Sequence, residues 1–222
     1  MTTLARKSFT CAVCQKESCH GVINSTNAFG SSDLDLRPPE MQRSTMPLWV
    51  QECPHCGYTN MCINEIPSPK ITKAWLRSAE YVDCEGIKFK SDLAKRFYHS
   101  YMVNLKEDET EEALHSVVCA AWACDDMGDT ENAIICRLIA AELAMDLYIV
   151  SPNPELVIKR SDYLRRAEKF DELLEFTRSI VIPEREGLLK ALLAFERKHA
   201  EMRDSSCYTV AFALDEMEFN EE

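Results

Sequence analysis

Cys11-Ala12-Val13-Cys14 and Cys53-Pro54-His55-Cys56-Gly57 are the stretches that decide how this chain folds. A C-x-x-C turn aims two sulfurs at one point, and two such turns complete a tetrahedral four-thiolate site. Cys11, Cys14, Cys53 and Cys56 are therefore the expected metal ligands. Soft sulfur donors in that geometry suit zinc, one per chain, with a single iron as the alternative. Gly57 follows the second pair, where a positive φ lets backbone amides point at the sulfurs. The first knuckle reads CAVCQ and has no glycine in that place. The 38 residues between the pairs exceed common ribbon spacing, but the entropy of loop closure grows slowly with length.

Working outward, residues 1–66 read as a small zinc-ribbon-like β head with a loop inserted over residues 20–45. A segment this short, with few large apolar side chains, usually needs a metal to hold its fold. Met46-Pro47-Leu48-Trp49-Val50-Gln51-Glu52 predicts a short strand running into the second knuckle. Phe9, Trp49 and Tyr58 flank the ligands and read as its miniature core. Cys19, His20 and Cys62 lie close in sequence to the four ligands, which makes them candidates for an auxiliary metal or a redox role; His55, inside the knuckle, is expected to face solvent. The inserted loop carries Asp33, Asp35, Arg37, Glu40 and Arg43 around Pro38-Pro39. Arg37 and Arg43 could fork a carboxylate or phosphate, or pair with the neighbouring acids and fix the loop.

Pro67-Ser68-Pro69 marks the boundary to a second domain, 67–222, whose apolar spacing changes to that of helices. The pattern predicts helices at 70–83, 91–106, 110–127, 130–149, 154–168, 170–181 and 184–203, joined by short loops that imply antiparallel hairpins. Cys84, Cys119, Cys124, Cys136 and Cys207 are scattered through these patterns and read as small buried hydrophobes. WACDDMGD at 122–129 and YLRRAEKF at 163–170 each place an aromatic-led helix end before a tight turn. Ala121, Gly128, Ala133 and Ala140 fall where paired helices cross closely, so the region resembles stacked tetratricopeptide hairpins. Arg137 and Thr130 depart from that pattern.

The combination of C-x-x-C, FGSSDLDLRPPEMQRSTMPLWVQECPHCGY, AAWACDDMGD and SDYLRRAEKFDE resembles the prokaryotic proteins grouped as domain-of-unknown-function family 2225. The resemblance covers nearly the whole chain. It implies a zinc-ribbon-like head joined to a tetratricopeptide-like helical part, with the four cysteines as metal ligands and no activity to carry over.

The 25 basic and 37 acidic residues give a net charge of −12, almost all of it beyond residue 66. Such a surface repels a phosphate backbone, which disfavours nucleic acid as a partner there. The opening MTTLARKSFT has no apolar stretch after its basic residues, and no window is apolar enough to span a bilayer, so a reducing cytoplasm is expected. There, eleven cysteines are better explained by metal ligation and packing than by disulfides. No metalloprotease, nucleophile-elbow or phosphate-loop motif occurs, and His99, His115 and His199 stand alone on helical stretches; no catalytic residue is assigned. The expected role is a cytoplasmic adaptor that docks an unidentified protein partner. A rubredoxin-like iron protein and a nucleotide- or nucleic-acid-binding ribbon are the alternatives.

Overall fold

Thr3–Thr10 and Glu17–Ser25 form strands β1 and β2, an antiparallel hairpin in register from Leu4 opposite Ile23 to Thr10 opposite Glu17. The six residues that turn the hairpin hold the first knuckle. This hairpin is absent from the sequence expectation: its faces are mostly exposed, so its alternation of apolar and polar residues is weak. The inserted loop accordingly begins after Ser25 and not at residue 20. Residues 46–52 also differ from expectation. Arg43–Leu48 is a 3-10 turn containing Pro47, which has no N–H to give a strand ladder. Only Gln51–Glu52 (β3) is extended, paired with Thr59–Asn60 (β4) across the second knuckle.

The structure is a computed structural model and describes residues 1–218; the last four residues of the expected second domain lie outside them. The two small strand pairs whose turns carry the cysteines are followed by a mostly helical region: α1 (Ala79–Val82), α2 (Asp92–Lys106), α3 (Thr110–Asp126), α4 (Thr130–Val150), α5 (Pro154–Arg166), α6 (Phe170–Arg178), α7 (Gly187–Glu201) and α8 (Val210–Glu218). Six of these follow the predicted ranges closely. The continuous helix expected over 70–83 is instead broken. Trp75–Arg77 is a 3-10 turn, Ser78 is extended, and its hydroxyl accepts from the Tyr81 amide to start α1 afresh. A serine that caps the next turn competes with helix continuation through it. Helix α8 was not expected; the acidic stretch Asp215-Glu216-Met217-Glu218 falls on it.

By density of contacts the chain forms two compact units, 1–28 with 40–133, and 29–39 with 134–222. This division runs differently from the boundary expected at 66/67. The head has too little apolar surface of its own, and in the first unit β4 packs on α2, which pairs with α3. The α2–α3 contact carries a polar seam, with Ser100 Oγ 3.1 Å from Ser116 Oγ and Asn104 Nδ2 donating to Ser116 Oγ at 3.1 Å. Asp129, before α4, accepts from the Lys90 amide and from Asn132 Nδ2.

In the second unit, Val157 and Ile158 of α5, Leu192, Leu193 and Phe195 of α7, and Ala213 of α8 share one core with Leu34 of the 29–39 segment. Leu34 is buried and its amide donates to Tyr208 O at 3.0 Å, while the Val210 amide donates to Ser32 O. Burying a leucine is worth roughly 1.5–3 kcal/mol, enough to anchor a short excursion of the chain. Asp35 closes the clasp by accepting from Arg166 Nη1 at 2.8 Å.

Candidate metal centre

Two turns bring the four thiols together. In the first, the Cys11 amide donates to Lys16 O at 3.0 Å and the Gln15 amide to Cys11 O at 2.8 Å. Gln15 takes the left-handed conformation (φ 60°) that the missing glycine would have supplied more easily. Its side chain offsets part of that cost by donating from Nε2 to Ala12 O at 2.8 Å. In the second turn, Gly57 has the anticipated positive φ of 76°; its amide donates to Cys53 O, and the Cys53 amide to Tyr58 O.

The Sγ atoms of Cys11, Cys14, Cys53 and Cys56 all lie within 4.8 Å of one another. Cys11 to Cys56 is 3.7 Å and Cys14 to Cys53 is 3.6 Å. A tetrahedron with metal–sulfur bonds of about 2.3 Å has edges of about 3.8 Å, so these separations fit a four-thiolate metal site. They are far from the roughly 2.05 Å of a disulfide, and all eleven cysteines are free thiols. Burial pushes the Cys11 and Cys56 thiols upward, while the Lys16 amide and the neighbouring thiols draw Cys14 down against its own burial. Protons on the thiols must leave when a metal enters, which makes binding pH-dependent.

No family model, no curated protein and no solved structure matches the chain. The reading of the site therefore rests on its own geometry.

The two cysteine turns are braced by residues outside them. The Ala12 amide donates to Ile63 O at 2.9 Å, and the Ile63 amide to Gln51 Oε1 at 3.2 Å, which ties the segment after β4 across both turns. Tyr81 of α1 donates its hydroxyl to Gly57 O at 2.8 Å. Its ring stacks on His99 of α2, with centroids 4.3 Å apart. Burial, with help from Lys95, lowers His99 to about 4, so it is neutral under ordinary conditions. Ser100, next along α2, donates to Asn60 Oδ1 at 3.3 Å. No motif marks Tyr81 or His99 as support for the cysteines, and sequence reasoning missed them.

The remaining candidates fall elsewhere. Cys19 is exposed on β2. His20 sits edge-on to Phe9, its Nε2 2.8 Å from Ser18 Oγ. Cys62 donates to Asn64 Oδ1 at 2.6 Å. Among the described residues, the four cysteines are the only group of three or more His, Cys, Asp or Glu whose ligand atoms converge, so Cys19, His20 and Cys62 do not assemble a second metal site. His55 is exposed as expected, with Nε2 3.2 Å from Glu17 O. Tyr58 is fully buried, whereas Phe9 and Trp49 are only partly so. Arg37 is buried in the second unit and Arg43 lies half-buried in the first, because Leu34 and Asp35 draw the loop into the helical core; a solvent-facing arginine fork is not formed by Arg37. His99 and His199 are buried, and His115 is exposed. Cys84, Cys119, Cys124 and Cys136 are buried, but Cys207 is exposed, since it precedes α8 in a loop and not a helix. No helix among the described residues is long and apolar enough to cross a membrane.

Proposed function

We propose that the chain is a cytoplasmic zinc protein in which the metal is structural and the helical hairpins form a tetratricopeptide-like scaffold for a protein partner. One observation carries the metal part: four sulfurs gathered from two turns at tetrahedral spacing. Cys11, Cys14, Cys53 and Cys56 would hold the ion, and zinc bound by four thiolates supplies cross-linking with no open position for a water or substrate. The eleven free thiols favour a reducing compartment. The scaffold part is supported by the pairing of α2 with α3 and by the burial of small helical residues such as Ala121. The resemblance to family 2225 agrees with this reading and adds no reaction to it.

A rubredoxin-like iron centre is the second reading, because the same donor set accepts iron. Metal analysis of the freshly purified full-length chain separates the two. About one zinc per chain is the expected result; a red, iron-bearing preparation would favour electron transfer, and a chain with neither metal would sink both.

A further inference from the structure

A cleft of about 180 Å³ that none of the four cysteines lines opens in the first unit, between the Trp75 turn, α1 and one face of α2. Its floor is Tyr101 and Met102, and its rim carries Trp75, Glu80, Glu85 and Lys106. The two acids are exposed, and aromatic donors orient both. Trp75 Nε1 donates to Glu80 Oε1 at 3.4 Å, and the Tyr98 hydroxyl donates to Glu85 Oε2 at 3.0 Å. The Trp75 indole is half-buried, and Lys106 Nζ sits 4.8 Å from its ring centroid. The face of this indole thus already engages a cation of the chain itself.

We propose that this cleft is a binding site for the arginine side chain of a partner segment. Three features select that ligand. The volume is below the roughly 300–1,000 Å³ of small-molecule pockets and suits one side chain. An indole face beside two carboxylates offers both surfaces a planar guanidinium uses, stacking and forked hydrogen bonding, whereas an ammonium uses them less fully. The charge also agrees: two acids against one lysine in the cleft, on a chain of net charge −12. Lys106 is the built-in competitor, occupying the ring until an arginine displaces it. The site deepens the adaptor reading and rests on it for the source of the arginine.

The test uses the full-length, metal-loaded chain and an acetylated, amidated Gly-Arg-Gly peptide, with Gly-Lys-Gly and tetramethylammonium as comparison probes. The indole N–H resonance of Trp75, identified by its loss in Trp75→Phe, is followed by NMR, with those of Trp49 and Trp122 as internal controls. The arginine peptide should shift the Trp75 resonance selectively and bind more tightly than either comparison probe. Lys106→Met should tighten binding by about three-fold, by removing competition for the ring. Glu80→Gln with Glu85→Gln should weaken it by about ten-fold, as two charge-assisted contacts are lost. An unmoved Trp75 resonance overturns the proposal, as does lysine or tetramethylammonium binding as well as arginine, or Lys106→Met leaving affinity unchanged. Zinc content is measured on every sample, so a metal-loaded chain that ignores arginine counts against this cleft and leaves the metal reading standing.

Discussion

Deep in the second unit, Asp162 and Arg165 of α5 meet Glu196 of α7, and none is more than 1% exposed. Arg165 donates from Nη2 to Asp162 Oδ1 at 2.8 Å and from Nε to Glu196 Oε2 at 2.7 Å. Its Nη1 reaches the carbonyls of Asp204 and Ser206. One guanidinium cannot neutralise two buried carboxylates, so the pair retains a proton. Burial is the main cause; with Asp162 adding to it and Arg165 opposing, the Glu196 carboxyl is pushed up to about 8 from an ordinary 4.5. Burial likewise raises Asp162, on which Asp35, Arg166 and Arg137 also act. The sign follows from proton counting. Between 4.5 and about 8 the folded chain holds a proton that the unfolded chain has released, so stability is full below that window and falls as pH rises through it. At up to about 1.4 kcal/mol per pH unit, the loss across the window is on the order of 3–5 kcal/mol, a large part of a domain's usual 5–15 kcal/mol. Glu196→Gln keeps the shape and one acceptor for Arg165 while removing the titration. Urea unfolding at about pH 5, 6.5 and 8, inside that window, should therefore show the parent weakening steadily and the variant changing much less. All three tryptophans, Trp49, Trp75 and Trp122, lie in the first unit, so their fluorescence follows that unit while circular dichroism sees both. The predicted loss belongs to the dichroism transition. A parent whose dichroism midpoint is flat or rises toward alkaline pH, or a variant with the parent's slope, would refute the shared-proton argument.

Other outcomes follow from the same structure. Stripping the metal with a chelator should lower the tryptophan-reported midpoint by several kcal/mol equivalents and leave the dichroism change of the second unit in place, as folding of a small four-thiolate lobe draws on binding energy. Tyr81→Phe removes the hydroxyl that donates to Gly57 O and should destabilise the first unit by about 1 kcal/mol without releasing metal, measured by urea unfolding and metal content. Asp35→Asn leaves Arg166 facing a neutral partner; about 1–3 kcal/mol should be lost from the second unit, and limited proteolysis should cut within 29–39 sooner. In thiol labelling of the native, metal-loaded chain, Cys19 should react first; Cys207 should lag although exposed, because desolvation pushes its thiol up to about 12, and Cys84, Cys119, Cys124 and Cys136 should stay silent until unfolding.

How much of this was legible differs by element. The ligands were readable because C-x-x-C encodes a local turn whose geometry is independent of the rest of the fold. Most helices were readable because Pro152, Pro154 and Pro183 and the apolar spacing are local signals too. The β1–β2 hairpin was not, since a strand pair with no fully buried side chain has little hydrophobic alternation to reveal it. The break at Ser78 turned on whether a hydroxyl caps a new helix or faces solvent within an old one, and the residue type allows both. The buried ion cluster left only the spacing of Asp162 and Arg165 as a trace; Glu196 lies 31 positions from Arg165, and nothing local couples them.

If the four cysteines hold a metal, its stabilisation would spread beyond the two turns. The second knuckle is held by Cys53 and Cys56 on one side and by Tyr81 on the other, through the Gly57 carbonyl. Tyr81 is itself fixed against His99, and His99 shares α2 with Ser100, whose hydroxyl bridges toward Asn60 of β4 and Ser116 of α3. A charged imidazole would suit neither the burial nor the nearby Lys95, and the low pKa of His99 keeps it neutral. The cysteine turns and the α2–α3 hairpin therefore share polar contacts that neither can satisfy alone. An ion that fixes the knuckle fixes the Gly57 carbonyl, and with it the place where α1 and α2 dock. A metal bound there would thus act on the helices as well, and the helical surface next to Trp75 would depend on a site that does not line it.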